Sequence, residues 1–160
     1  MLAKAVLPLA LLFILSGCGA SKQETRTTSI GVRGDGYVFE APQGWRISRP
    51  QAAVVARAGD SLVSVTHFPL RRAYDQSQFG VATKALDAVA ARLAKAAGTS
   101  VDKAETVTVS NRKVRSYRYG MRRIGFVLAG RNEYQLFCTQ QQSAACDLLF
   151  ASFTLTGPSA

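Results

Sequence analysis

Residues 104–139 read AETVTVSNRKVRSYRYGMRRIGFVLAGRNEYQLFCT, and the fold class turns on them. The stretch divides into four strand-like runs, AETVTVS, KVRSYRYG, RIGFVLAG and EYQLFCT, rich in Val, Tyr, Phe and Thr, which suit a pleated surface. Turn residues separate them at Ser110-Asn111, Gly120 to Arg122 and Arg131-Asn132. Closely spaced runs with short turns pair as antiparallel hairpins, because parallel pairing needs a long crossover.

Immediately upstream, QSQFGVATKALDAVAARLAKAAG (76–98) changes period. Phe79, Leu86, Val89, Leu93 and Ala97 fall on one face at helical spacing, Lys84, Asp87, Arg92 and Lys95 lie away from it, and Gly98 supplies a C-cap. The spacing predicts an amphipathic helix with one buried stripe. Before it, GYVFEAP and WRISR, broken by Pro42 and Gly44, and AAVVARAGDSLVSVTHF, folded about Gly59-Asp60, read as further strands. After the central strands, SAACDLLFASFTL predicts a short helix in which Cys146, Leu149 and Phe153 share a face. The class is therefore α+β.

The chain opens MLAKAVLPLALLFILSGCGASK, in which the apolar run from Ala5 to Leu15 is shorter than the roughly 20 residues needed to span a bilayer. One positive charge, a short apolar run and small residues after it follow the plan of a secretory signal. Leu15-Ser16-Gly17-Cys18 resembles the lipobox of bacterial lipoproteins, which implies a diacylglyceryl group on Cys18 and cleavage just before it. A core helix through Cys18 is the other reading, but Gly17, Gly19 and the polar tail beyond would end it with nothing to pack on. The expected organisation is a signal peptide at 1–17, lipidated Cys18 and a flexible tether to 29, one domain at 30–156, and a tail at 157–160.

Of three cysteines, lipidation of Cys18 leaves Cys138 and Cys146. An even pair in an exported protein predicts a disulfide, since the spacing is too wide for a thioredoxin-like motif and one histidine adds too few ligands for a metal site. Net charge is +10 over 160 residues, and only Lys4 departs with the signal. Such a balance either keeps the domain soluble or favours anionic partners. Outside the cytoplasm those are phospholipid headgroups or acidic wall polymers rather than nucleic acid.

The order of elements, with Phe39, Pro42, Gly44 and Trp45 in the opening strand, Tyr134 and Leu136 in the meander and Ser152-Phe153 at the end, resembles the PsbP-like family. That family includes the extrinsic PsbP protein of photosystem II, a eukaryotic Ran-binding nuclear protein and many bacterial lipoproteins. The resemblance covers roughly residues 30–156. It implies a curved antiparallel sheet of about six to seven strands flanked by helices, an α/β/α sandwich, with non-enzymatic roles in binding and assembly. It brings no shared active site to carry over.

Catalysis needs a nucleophile with its base, paired carboxylates or a metal cluster. His67 is the lone histidine and alternates with Val63 and Val65 in a strand, which reads as a structural or surface residue. Trp45 reads as core, with ligand stacking as the other possibility, and Glu133 has no visible carboxylate mate. GVRGDG (31–36) has the glycines of a phosphate loop but precedes a strand instead of opening a helix. No catalytic residue, cofactor or metal is expected.

The strongest functional signal is the run from Arg112 to Arg131, with seven basic residues, no acidic one, and Tyr117 and Tyr119 interleaved. Strand alternation puts Arg115, Tyr117 and Tyr119 on one face and Arg118 on the other, with Met121 to Arg123 at an exposed hairpin tip. These arginines either shield a sheet edge or form an anionic-surface site from Arg115, Arg118, Arg122 and Arg123. The expected protein is a lipid-anchored, extracytoplasmic binding module of the cell or outer membrane, whose partner is an envelope protein or an anionic lipid or polymer. A carrier of a hydrophobic ligand and an enzyme are the alternatives. An exposed polar groove would favour the module, a large apolar pocket the carrier, and carboxylates clustered around His67 the enzyme.

Overall fold

The computed structural model describes residues 28–139 and 143–157. The expected signal segment, Cys18, nearly all of the tether and the last three residues of the tail lie outside the described residues. Two antiparallel sheets form. The larger joins β3 (Arg46–Ser48), β4 (Ala53–Ala58), β5 (Ser61–Tyr74), β8 (Arg122–Thr139), β7 (Arg112–Tyr119) and β6 (Lys103–Val109) in that spatial order. The smaller joins β1 (Ser29–Gly34), β2 (Tyr37–Pro42) and the two-residue β9 (Thr154–Leu155). One face of the large sheet carries α1 (Phe79–Ala96), and the other carries α2 (Ser143–Ser152) with the small sheet. This is the α+β, PsbP-like architecture, with its strands divided between six and three.

The core between α2 and the two sheets gathers Phe39, Tyr134, Leu136 and Phe153, all at most 4% exposed. Phe153 stacks on Tyr37 at 5.7 Å and meets Tyr134 at 5.8 Å, arrangements that add to simple area burial. The Ser152 hydroxyl accepts the Glu40 N–H at 2.8 Å and donates to the Leu148 carbonyl at 2.7 Å, so the end of α2 is stitched to β2. Trp45 packs half-buried against this core. Cys138 and Cys146 are both buried and disulfide-bonded, with Cα atoms 5.5 Å apart, and tie the end of β8 to α2.

Three details of the sequence reading change. The turn expected at Arg131-Asn132 is absent, because β8 runs unbroken through 18 residues. Gly130, at φ +53°, and its neighbours instead make a bulge, where pairing passes from Pro69↔Asn132 to Tyr74↔Gly130. The alternation inverts across it, so that Val127 on one side and Tyr134, Leu136 and Cys138 on the other all face the same core. Residues with turn character serve equally well as a kink in a long strand. The partner strand β5 likewise continues through Pro69 to Tyr74.

The buried stripe of α1 is Leu86, Ala90 and Ala94, whereas Leu93 is 37% exposed and Ala97 is exposed. The sheet supplies the bulk here through Tyr117, Tyr119, Ile124, Phe126 and Leu128, so alanines face it and the helix sits close. Leu93 and Ala97 share a side with Leu86 by spacing, but the contact is rotated away from them. β1 and β9, which the strand pattern did not announce, close the second sheet.

Candidate binding groove

The basic run does not form one surface. Arg115 Nε donates to Asp87 Oδ1 on α1 at 3.0 Å, and the buried Tyr117 hydroxyl donates to the same oxygen at 2.6 Å. Burial works to raise the Asp87 pKa, but these two donors and the guanidinium charge outweigh it and hold the carboxyl below its usual range. The same carboxylate and burial push the Tyr117 hydroxyl far up, burial contributing most.

Arg123 is the clear correction: expected at an exposed tip, it is only 7% exposed. Its guanidinium carbon lies 3.9 Å from the Phe150 ring centroid, Nε donates to Ser116 Oγ at 3.2 Å, and Nη1 donates to Asp147 Oδ1 at 3.4 Å. Glu105 Oε1 stands 3.8 Å from Nη2. Burial, and then the neighbouring Arg118, lower the Arg123 pKa against the pull of Glu105 and Asp147. The cause is strand alternation, which puts position 123 on the α2 face with Gly125 and Val127. Arg118 is half-buried, with an Nε that finds no hydrogen-bond partner among the described residues. Of the four arginines, Arg122 alone is exposed, beside Met121 at 58%.

A groove of about 390 Å³ lies elsewhere, around His67 on β5. The His67 ring stacks on Tyr134 of β8 at 5.1 Å and 18°. Its Nε2 donates to Asn132 Oδ1 at 2.8 Å, which leaves Nδ1 facing Asp35 Oδ2 at 3.9 Å. Asp35 and Gly36 form the turn of the β1–β2 hairpin, within the glycine-rich GVRGDG stretch. Gly36 takes φ +74°, and a Cβ there would stand 3.0 Å from the Tyr134 hydroxyl, so only glycine brings this turn so near the sheet. Arg131 and Asn132 border the groove from the β8 bulge. Tyr37, below the turn, donates to the Val65 carbonyl at 3.2 Å, and burial, then Tyr134, pushes its pKa up to about 12. It is a fixed structural donor near neutral pH.

His67 thus has a structural partner set and also one nitrogen turned to the groove. Sequence reading placed it in a strand but gave no sign that Asp35 and Asn132, from opposite ends of the domain, would both meet it. The glycine-rich stretch was the available signal, read correctly as preceding a strand. Glu133, the other acid singled out, accepts from Gln135 Nε2 at 2.7 Å and does not line the groove. Among the described residues no group of three His, Cys, Asp or Glu side chains is placed to hold a metal, and no helix is long and apolar enough to cross a membrane.

No protein-family model matches the sequence, and no curated protein matches it. Among solved structures, a Bacteroides thetaiotaomicron protein aligns at 9% identity over 82% of this chain, with a TM-score of 0.49. The alignment spans 49% of that protein's chain, and at this TM-score it carries no argument. The solution structure of the cyanobacterial PsbP, CyanoP, from Synechocystis sp. PCC 6803 aligns at 17% identity over 89% of this chain and 99% of its own, with a TM-score of 0.59. At that identity the likeness speaks to the fold alone: this chain has a PsbP-like fold.

Proposed function

We propose that the chain is a lipid-anchored, extracytoplasmic binding module of the cell envelope, held to the membrane through Cys18 and receiving a polar segment of an envelope protein in the groove around His67. A fold of this kind assigns no activity by itself, so the reading rests on the site. The observation that carries it is the chemistry of the groove: His67 Nδ1, Asp35, Arg131 and Asn132 offer donors and acceptors above a floor that includes Ala129 and Tyr134. A mostly apolar floor with a few placed polar groups is the usual build of a recognition site. Catalysis has less support there. Asp35 stands 3.9 Å from His67 Nδ1, too far for a hydrogen bond, and among the described residues the lining holds no serine, threonine or cysteine to activate.

The test is a photo-cross-linking residue placed, in cells, at exposed Arg131 in the groove or at exposed Arg57 at the far end of β4. A discrete adduct from position 131, weakened by Asn132→Ala and absent from position 57, is the expected result. Equal labelling from both positions, or none from 131, would sink the reading.

A further inference from the structure

At one end of the large sheet, the bulged ends of β5 and β8 and the first turns of α1 line a second groove, of about 520 Å³. Its walls are apolar: Leu70, Tyr74, Val81, Ala82 and Leu128. Leu70, Tyr74 and Ala82 pack on the α1 core, whereas Val81 is 79% exposed, an unusual position for a branched aliphatic side chain. The groove is within the roughly 300–1,000 Å³ of small-molecule sites.

Its border is charged, and with one sign. Arg71 and Arg72 are exposed and line it, and among the described residues no acidic one does. The nearest acid in sequence, Asp75, is engaged in capping: its Oδ1 accepts the Ser77 N–H at 2.8 Å. Arg131 Nη2 donates to the Arg71 carbonyl at 3.3 Å and so braces the two strands of the bulge against each other. The Tyr74 hydroxyl is buried with no hydrogen-bond partner among the described residues, a spare donor in the same wall. An apolar trough with two guanidinium groups at its lip that meet no carboxylate among the described residues complements a molecule that is apolar along its length and anionic at one end.

We propose that this groove binds a free single-chain anionic amphiphile of the fatty-acid type, its chain along Leu70, Val81 and Leu128 and its carboxylate against Arg71 and Arg72. The site is distinct from the groove around His67 and does not depend on the function assigned there. The charge at its lip selects an acid over an alcohol of the same length.

The full chain is titrated calorimetrically with dodecanoate and with neutral dodecanol, both below micelle formation, and with phosphatidylglycerol vesicles. Dodecanoate should bind roughly 30-fold more tightly than the alcohol, the scale expected from two exposed cations. Arg71→Gln with Arg72→Gln should abolish that preference and leave alcohol binding unchanged. Val81→Glu, which sets a carboxylate at the groove mouth, should weaken both. All three positions are exposed, so the fold is retained, and the apolar residues 5–15 are common to every variant and cancel in the comparison. Absence of dodecanoate binding, equal affinity for acid and alcohol, or insensitivity to all these substitutions overturns the proposal. Binding to anionic vesicles without binding of monomeric dodecanoate also overturns it, in favour of a membrane-surface contact.

Discussion

Arg123 lies over the Phe150 ring, its guanidinium carbon 3.9 Å from the centroid, and the ring itself fills the space left by the absent side chain of Gly125. A Cβ at Gly125 would come within 2.6 Å of the Phe150 ring. The three residues are one packing unit between β8 and α2, and the charge is held by Ser116, Glu105 and Asp147 around its edge.

Gly125→Ala is therefore expected to destabilise the domain by about 1–3 kcal/mol through overpacking. Arg123→Ala should lose roughly 1–2 kcal/mol, since stem packing and the cation–π contact go while Glu105 and Asp147 remain solvated enough to tolerate it. Chemical denaturation of each variant measures both. A neutral result for Gly125→Ala would contradict the contact. Arg122→Gln, at the exposed tip, should leave stability within about 0.5 kcal/mol of wild type.

Acid should act through Asp87. Its pKa is lowered on folding, so the stabilisation from Arg115 and Tyr117 is present above the unfolded value near about 3.9 and is lost as pH falls through the lower folded value. Unfolding free energy measured from neutral pH downward should hold until about pH 4 and then decline. Asp87→Asn should flatten that decline and reduce stability at pH 7.

The Cys138–Cys146 bridge closes a short loop, worth about 2.5 kcal/mol on the chain-entropy estimate. Reduction should lower the urea midpoint accordingly, and non-reducing mass spectrometry of the protein isolated from cells should find a single intramolecular bridge. Two free thiols in freshly isolated material would count against it.

The proposed anchoring rests on Cys18. Cys18→Ser should leave an uncut precursor that takes up no lipid label, and normal processing with unchanged labelling would rule the lipobox out.

The sequence by itself determined the class of the fold, because hydrophobic period is local: strands before and after one amphipathic helix, and an aromatic opening strand and Ser-Phe ending that later meet in one core. Parity and compartment likewise suggested the pairing of Cys138 with Cys146. What tertiary structure alone decided was direction and company. Whether Gly130-Arg131-Asn132 turned the chain or merely kinked it depended on the partner strand, since β5 runs past Pro69 and keeps pairing. Which stripe of α1 was buried depended on the bulk of the sheet beneath it. Alternation divided the arginines between two faces already in sequence, but only the neighbours they meet sent Arg123 inward to Phe150 and Arg115 to Asp87. The two grooves join residues from separate strands and the start of a helix, and no local pattern records such meetings, because burial and charge pairing are properties of the assembled surface.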